Sequence, residues 1–200
     1  MKTLIRAAIR CSLMFTAVTA SLFSVRPAQA FTVRLKEVGA NVVANGSGAF
    51  NLTGLTLFGI GGGDAHIEPN IAAIDLADAP GASQDTYFGF SGPSSFGTGL
   101  FTFASSSSGD LVSIVGAFNE LFVPRGYVSG TALSGSSTYN SATFASLGVT
   151  PGTYVWTWGT GLPNQNFTLR IGVVPDGGST VSLLGFALLG LAAVRRKLSY

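Results

Sequence analysis

Few side chains in this 200-residue sequence could do chemistry. Asp64, His66 and Glu68 occupy alternate positions in Gly63-Asp64-Ala65-His66-Ile67-Glu68. On a strand, side chains alternate between faces, so all three would share one side. Two carboxylates flanking an imidazole could hold a divalent metal, which makes this stretch the metal candidate. The competing reading is a solvated loop ended by Pro69. Asp75, Asp78 and Asp85 follow in a Pro/Gly/Ala-rich stretch and offer oxygens of the kind calcium takes. His66 is the only histidine, no G-x-S-x-G is present, and the only cysteine, Cys11, lies in the leader, so any Ser-His-Asp triad would rest on one base. The run Gly59-Ile60-Gly61-Gly62-Gly63 lacks the spacing of a dinucleotide fingerprint and reads as a flexible loop. The acids show no spacing that supports the paired carboxylates of glycoside hydrolysis. The expectation is a protein without catalytic residues or cofactor.

A different chemistry is open to Tyr154, Trp156 and Trp158, which share one face of the stretch YVWTWGT. Exposed, they would form a platform for stacking sugar rings, as in a carbohydrate-binding module. Buried, they would supply core area, and the opposite face of that strand holds nothing large enough to do so. After the loop GLPNQN, Phe167, Leu169 and Ile171 alternate with Thr168 and Arg170. A hairpin bringing the two apolar faces together is the expected arrangement.

The elements that must carry these residues read as strands. Phe31, Val33 and Leu35 alternate with Thr32, Arg34 and Lys36, and AFNLT, LFTFA and DLVSIVGAF repeat the pattern between turns such as Asn45-Gly46 and Pro151-Gly152. No amphipathic helix of useful length interrupts them. The expected fold is all-β, an antiparallel β-sandwich or jelly roll, in one exported domain over residues 31–172.

The ends are set apart. Lys2, Arg6 and Arg10 precede an apolar run, Cys11 to Val25, and Ala28-Gln29-Ala30 forms an A-x-A cleavage site, so residues 1–30 read as a secretory signal peptide. The exported chain then has no cysteine and no disulfide. Its charge also changes: between Phe31 and Val174 four basic residues face eight acidic ones, a net of −4, although the whole chain carries +2. Nucleic-acid binding loses its electrostatic support.

At the other end, residues 173–200 contain a turn, an uncharged run from Val181 to Val194, and a basic close at Arg195, Arg196 and Lys197. Fourteen helical residues span roughly 21 Å, against about 30 Å for a hydrocarbon core. Local thinning and snorkelling of basic side chains accommodate such a span. The basic close would hold the last residues in the cytoplasm and place the domain outside.

This order of turn, apolar span and terminal basic cluster resembles the PEP-CTERM class of bacterial sorting signals, with Val174-Pro175-Asp176-Gly177-Gly178-Ser179 as the recognised turn. The usual V-P-E-P-S is here V-P-D-G-G-S-T, closer to variant tails reading V-P-D-S-G-S-T. A Gly-Gly signal cut by rhomboid-type proteases would use Gly177-Gly178-Ser179 but has no need of Val174-Pro175-Asp176. The stretches Ala142 to Gly161 and Gln165 to Gly172 are similar to the final hairpin of exported domains that precede such tails. The resemblance implies a Gram-negative host, an inner-membrane precursor read by an exosortase-type membrane protease, and a mature form at the cell surface or in the extracellular matrix. Extracellular polysaccharide is the implied surrounding, and the implied role is structural or adhesive.

Overall fold

The computed structural model describes residues 29–77 and 83–172. The strands in chain order are β1 (Phe31–Val38), β2 (Asn41–Gly48), β3 (Thr56–Gly61), β4 (His66–Glu68), β5 (Ala73–Asp75), β6 (Gln84–Phe88), β7 (Thr102–Phe103), β8 (Ser106–Gly109), β9 (Ser113–Val115), β10 (Glu120–Pro124), β11 (Leu133–Tyr139), β12 (Gly152–Thr157) and β13 (Asn166–Ile171). The helical content among the described residues is two single 3-10 turns, Pro69–Ile71 and Gly116–Phe118.

Six strands form one sheet in the order β12-β13-β1-β2-β11-β8, and seven form the other in the order β3-β6-β10-β9-β5-β4-β7. The first sheet turns Phe31, Val33, Leu35, Val42, Ala44, Trp156, Phe167, Leu169 and Ile171 inward, and the second contributes Ile67, Ile74, Ile114, Leu121 and Val123 to the same core. The fold is thus an all-β sandwich. Two-fold alternation drives it: β1 buries Phe31, Val33 and Leu35 completely while Thr32 and Arg34 between them stay partly open.

One pairing departs from the antiparallel expectation. β1 runs parallel to β13, with Phe31 opposite Phe167, Arg34 opposite Arg170 and Leu35 opposite Ile171. A parallel neighbour requires a long crossover, and here everything between the two strands supplies it. The first and last strands among the described residues thereby lie side by side near the middle of the sheet.

Three sequence expectations change in detail. AFNLT buries Phe50 and Leu52 but forms no strand. The Phe50 and Leu52 amides donate instead to Tyr127 Oη at 2.9 Å and Ser129 Oγ at 3.0 Å. LFTFA contributes only the two-residue β7, and Leu100, Phe101 and Phe103 are exposed. The glycine run is not wholly a loop either: Gly59, Ile60 and Gly61 belong to β3 and pair with β6 across a register shift after Leu57.

Glycine does matter where the sheets approach. Gly46 and Gly135 are register partners on β2 and β11. A Cβ at Gly46 would strike Leu76 Cδ1, and one at Gly135 would sit 3.2 Å from Leu76 Cβ. Leu76, fully buried, fills the space that the two missing side chains leave.

Candidate functional site

The expected hairpin of β12 and β13 forms, with Trp156 opposite Phe167 and Tyr154 opposite Leu169. Its aromatic stripe faces inward. Trp156 is wholly buried and Trp158 is 5% exposed. The indole N–H of Trp156 donates to Pro93 O at 2.8 Å, and that of Trp158 to Asn51 O at 2.7 Å. Tyr154 is half-buried, donates to Thr150 O at 3.0 Å and packs against Phe96. The sugar-stacking platform of Tyr154, Trp156 and Trp158 is therefore corrected at its two tryptophans: an indole locked in the core presents no face to a ligand, and the half-buried Tyr154 is left as a single ring rather than a stripe. Core burial takes the apolar rings, and each indole N–H finds a carbonyl on a neighbouring segment.

The candidate metal residues do lie on and beside a strand, since β4 carries His66 and Glu68 with Ile67 buried between them. His66 Nδ1 lies 2.8 Å from the Asp64 carbonyl oxygen, and its ring stacks on Phe101 with centroids 4.4 Å apart. Among the described residues no group of three His, Cys, Asp or Glu is placed to hold a metal ion. Asp64, His66 and Glu68 are thus not assembled as a site. The calcium candidates separate as well: Asp75 is buried on β5, whereas Asp85 on β6 accepts a bond from Gly126 N at 2.8 Å. Asp78 lies outside the described residues.

The most developed polar surface is the outer face of the first sheet. One row crosses all six strands in register: Thr153 beside Arg170, Arg170 beside Arg34, Arg34 beside Asn45, Asn45 beside Ser136, and Ser136 beside Ser108. With strands about 4.8 Å apart, the row is roughly 24 Å long. A second row alongside it runs through Thr168, Thr32, Ser47 and Ser134. Parts of both rows line a depression of about 470 Å³, and its lining among the described residues includes two guanidinium groups, no carboxylate and no aromatic ring. At its margin Ser108 and Ser136 share a hydrogen bond of 3.0 Å, and Asp110 accepts from Ser134 N at 2.7 Å. Arg34 and Arg170 are both half-buried. The sequence shows each as an outward residue of a strand, but only the parallel pairing sets them side by side.

Of the residues expected to form a leader cleavage site, Ala28 lies outside the described residues. Ala30 forms a bridge with Ala49, and Gln29 O accepts from Ala49 N at 2.8 Å. The sorting-turn residues Val174, Pro175, Asp176, Gly177, Gly178 and Ser179, and the basic residues Arg195, Arg196 and Lys197, also lie outside the described residues. So does the apolar run between them. Among the described residues no helix is long and apolar enough to cross a membrane. The last described residue is Gly172, whose amide donates to Leu35 O at 3.0 Å.

The segment that follows is the one with a recognisable likeness. Residues 173–198 match the family model of the VPDSG-CTERM motif, a C-terminal sorting signal of the exosortase type. Comparison with curated proteins and with solved structures finds no match.

Proposed function

We propose that a chain ending in such a signal is a non-enzymatic exported protein whose β-sandwich is cargo and whose tail is the substrate of an exosortase-type membrane protease. The sorting-signal match at residues 173–198 carries this reading. In it, residues 1–30 direct export and are removed, the apolar run holds the precursor in the inner membrane, and Val174 to Ser179 are read by the protease. Arg195, Arg196 and Lys197 keep the extreme C-terminus cytoplasmic. The mature domain is then delivered to the cell surface or the extracellular matrix, where its role is structural or adhesive within polysaccharide.

The test is the intact mass of the protein from its native host, with and without the exosortase. The expected product of the wild-type strain ends, or carries an adduct, between Val174 and Thr180, while the deletion strain retains the tail. A tail retained in both strains would refute processing and leave a protein anchored by its C-terminus.

A further inference from the structure

We propose that β3 is a self-pairing edge: two copies of this chain join antiparallel through Thr56–Gly61 and merge their seven-stranded sheets into one. β3 ends that sheet, and among the described residues β6 is its one strand neighbour. Thr56-Leu57-Phe58-Gly59-Ile60-Gly61 contains no charge and no proline, the residues that usually keep a free edge from pairing. Leu57, Phe58 and Ile60 are 56%, 73% and 59% exposed. The other three outermost strands are less open. β12 is bridged at Thr157 by Ser91 through two backbone bonds of 2.9 Å. β8 is four residues of serine and glycine, and β7 is two residues long.

The strand itself points to a second copy as the occupant. An antiparallel pair of identical strands needs a register that maps the strand onto itself. Centred between Phe58 and Gly59, that register sets Leu57 opposite Ile60, Phe58 opposite Gly59 and Thr56 opposite Gly61. Facing residues must lie on one side of the sheet, and these do. Leu57 and Ile60 are partners of Tyr87 and Asp85, which stand two apart on β6 and so share a face. Residues three apart can do this only because the register shift after Leu57 adds one to the count. Phe58 meets Phe88 edge-on with centroids 4.7 Å apart, on the other face, where Gly59 lies opposite Thr86. A bulge can turn an edge away from partners; at the centre of a self-pairing strand it instead matches the faces of the two copies.

Gly59 supplies the second observation. Nothing in its own chain requires a glycine there: its φ lies outside the left-handed region, and a Cβ would meet no atom within 4 Å. Gly61 on the same strand is explained internally, since a Cβ there would lie 2.7 Å from the Phe122 ring. In the paired strands Gly59 lies beneath Phe58 of the other copy, an aromatic ring covering an edge glycine. The Leu57–Ile60 contact occurs twice by symmetry, as an isologous interface requires. Six residues a side is well short of the roughly 20–30 of a standard interface. The pair is therefore weak in dilute solution, with a Kd between about 1 μM and 1 mM.

The test is disulfide trapping of the full chain in its native host. Two differently tagged copies are coexpressed, one with Leu57→Cys and the other with Ile60→Cys, and whole cells are treated with a thiol oxidant. The unsubstituted chain, whose one cysteine is Cys11, sets the baseline. Directly opposed side chains have Cβ atoms about 4.5–5.5 Å apart, close to the reach of a disulfide. The expected product joins the two tags. Either variant with itself, offset by three residues, is expected to form none. Sedimentation velocity of the purified protein is expected to show a dimer growing with concentration up to about 1 mM. Ile60→Lys is expected to weaken that dimer about ten-fold or more while leaving the thermal midpoint in place.

Absence of the joined product, or a monomer throughout that concentration range, would overturn the proposal. A link between two Leu57→Cys copies would overturn the register. A link from Leu57→Cys to Phe103→Cys on β7 would mean head-to-tail pairing and overturn the symmetric dimer. If Leu57→Cys reacts with a maleimide only after the tail is removed, residues 173–200 of the same chain occupy the edge and the proposal falls. It falls equally if Ile60→Lys releases the protein from membranes and no link forms, which would assign the edge to a lipid surface. The joined product is read in the cell whether or not the tail is processed, so this proposal and the sorting proposal fail separately.

Discussion

Replacing Trp156 tests the sandwich at its most constrained point. The indole is fully buried, meets Phe167 edge-on with centroids 5.6 Å apart, and donates to Pro93 O. Two stretches of backbone also press close to it. A Cβ at Gly92 would run into the indole, and one at Gly116 would lie 2.7 Å from Nε1. Backbone held by its own hydrogen bonds moves in less readily than side chains, so the cavity left by Trp156→Ala stays open. That places the cost toward the upper part of the usual range for such truncations, about 3–5 kcal/mol. This is a large share of a domain stability of about 5–15 kcal/mol.

Trp156→Phe separates the two contributions. It keeps a ring against Phe167 but leaves the Pro93 carbonyl without its donor, a loss of about 1–2 kcal/mol. The two variants should differ by about 2 kcal/mol. Urea unfolding followed by far-UV circular dichroism measures both, read from midpoints at constant slope. If Trp156→Ala costs less than about 1 kcal/mol, or if the two substitutions cost the same, the indole is not packed as described.

Burial raises the Tyr139 hydroxyl well above the ordinary tyrosine pKa; the bond from Ser137 opposes this and the charge of Asp75 adds to it. The unfolded chain ionises near pH 10 while the folded one keeps its proton. The contribution is therefore intact below about pH 10 and is lost as pH rises above it. Unfolding free energy measured from pH 9 to 11 should fall for the wild type, and Tyr139→Phe should flatten that slope. Gly99→Ala would drive a Cβ into the Leu147 carbonyl, where two backbone segments cross; a loss of more than about 1 kcal/mol should appear as a thermal midpoint several degrees lower. Tyr127→Phe removes a hydroxyl that accepts from Phe50 N and donates to Thr131 O at 2.7 Å. It should cost about 1–2 kcal/mol in urea unfolding and speed amide exchange at Phe50.

Local patterning was legible wherever a strand has one wet face. The alternation of β1 and the register of the terminal hairpin follow from apolar residues at every second position, because a one-residue slip would turn Phe31 or Trp156 out to water. The same pattern misled at Phe50 and Leu52, where burial is real but side chains replace the ladder as hydrogen-bond partners. It misled again at Phe101 and Phe103, whose rings stay on the surface, against His66 and each other. Gln165 reads as an ordinary loop residue, yet it is buried and its amide accepts from Thr160 N and Leu162 N while donating to Thr53 O. Nothing within a few residues of it announces that. The Arg34–Arg170 pair was hidden for a related reason: its members belong to opposite ends of the chain, and only the parallel pairing of β1 with β13 joins them. The sorting tail was legible because its information is one-dimensional, an order of turn, apolar run and basic close.

The placement of β13 also has a mechanical consequence. This strand is held on both sides, by β12 and by β1, and among the described residues the bond from Gly172 N to Leu35 O lies one residue before the sorting segment begins. A pull transmitted through that segment acts along the axis of β13, across the direction of its inter-strand hydrogen bonds. They are loaded together in shear and must yield as a group, whereas a strand peeled sideways from an edge would release them one at a time. Phe167, Leu169 and Ile171 would have to leave the core in the same event. If the domain is held through its sorting segment, as proposed, that load falls on a strand paired on both sides.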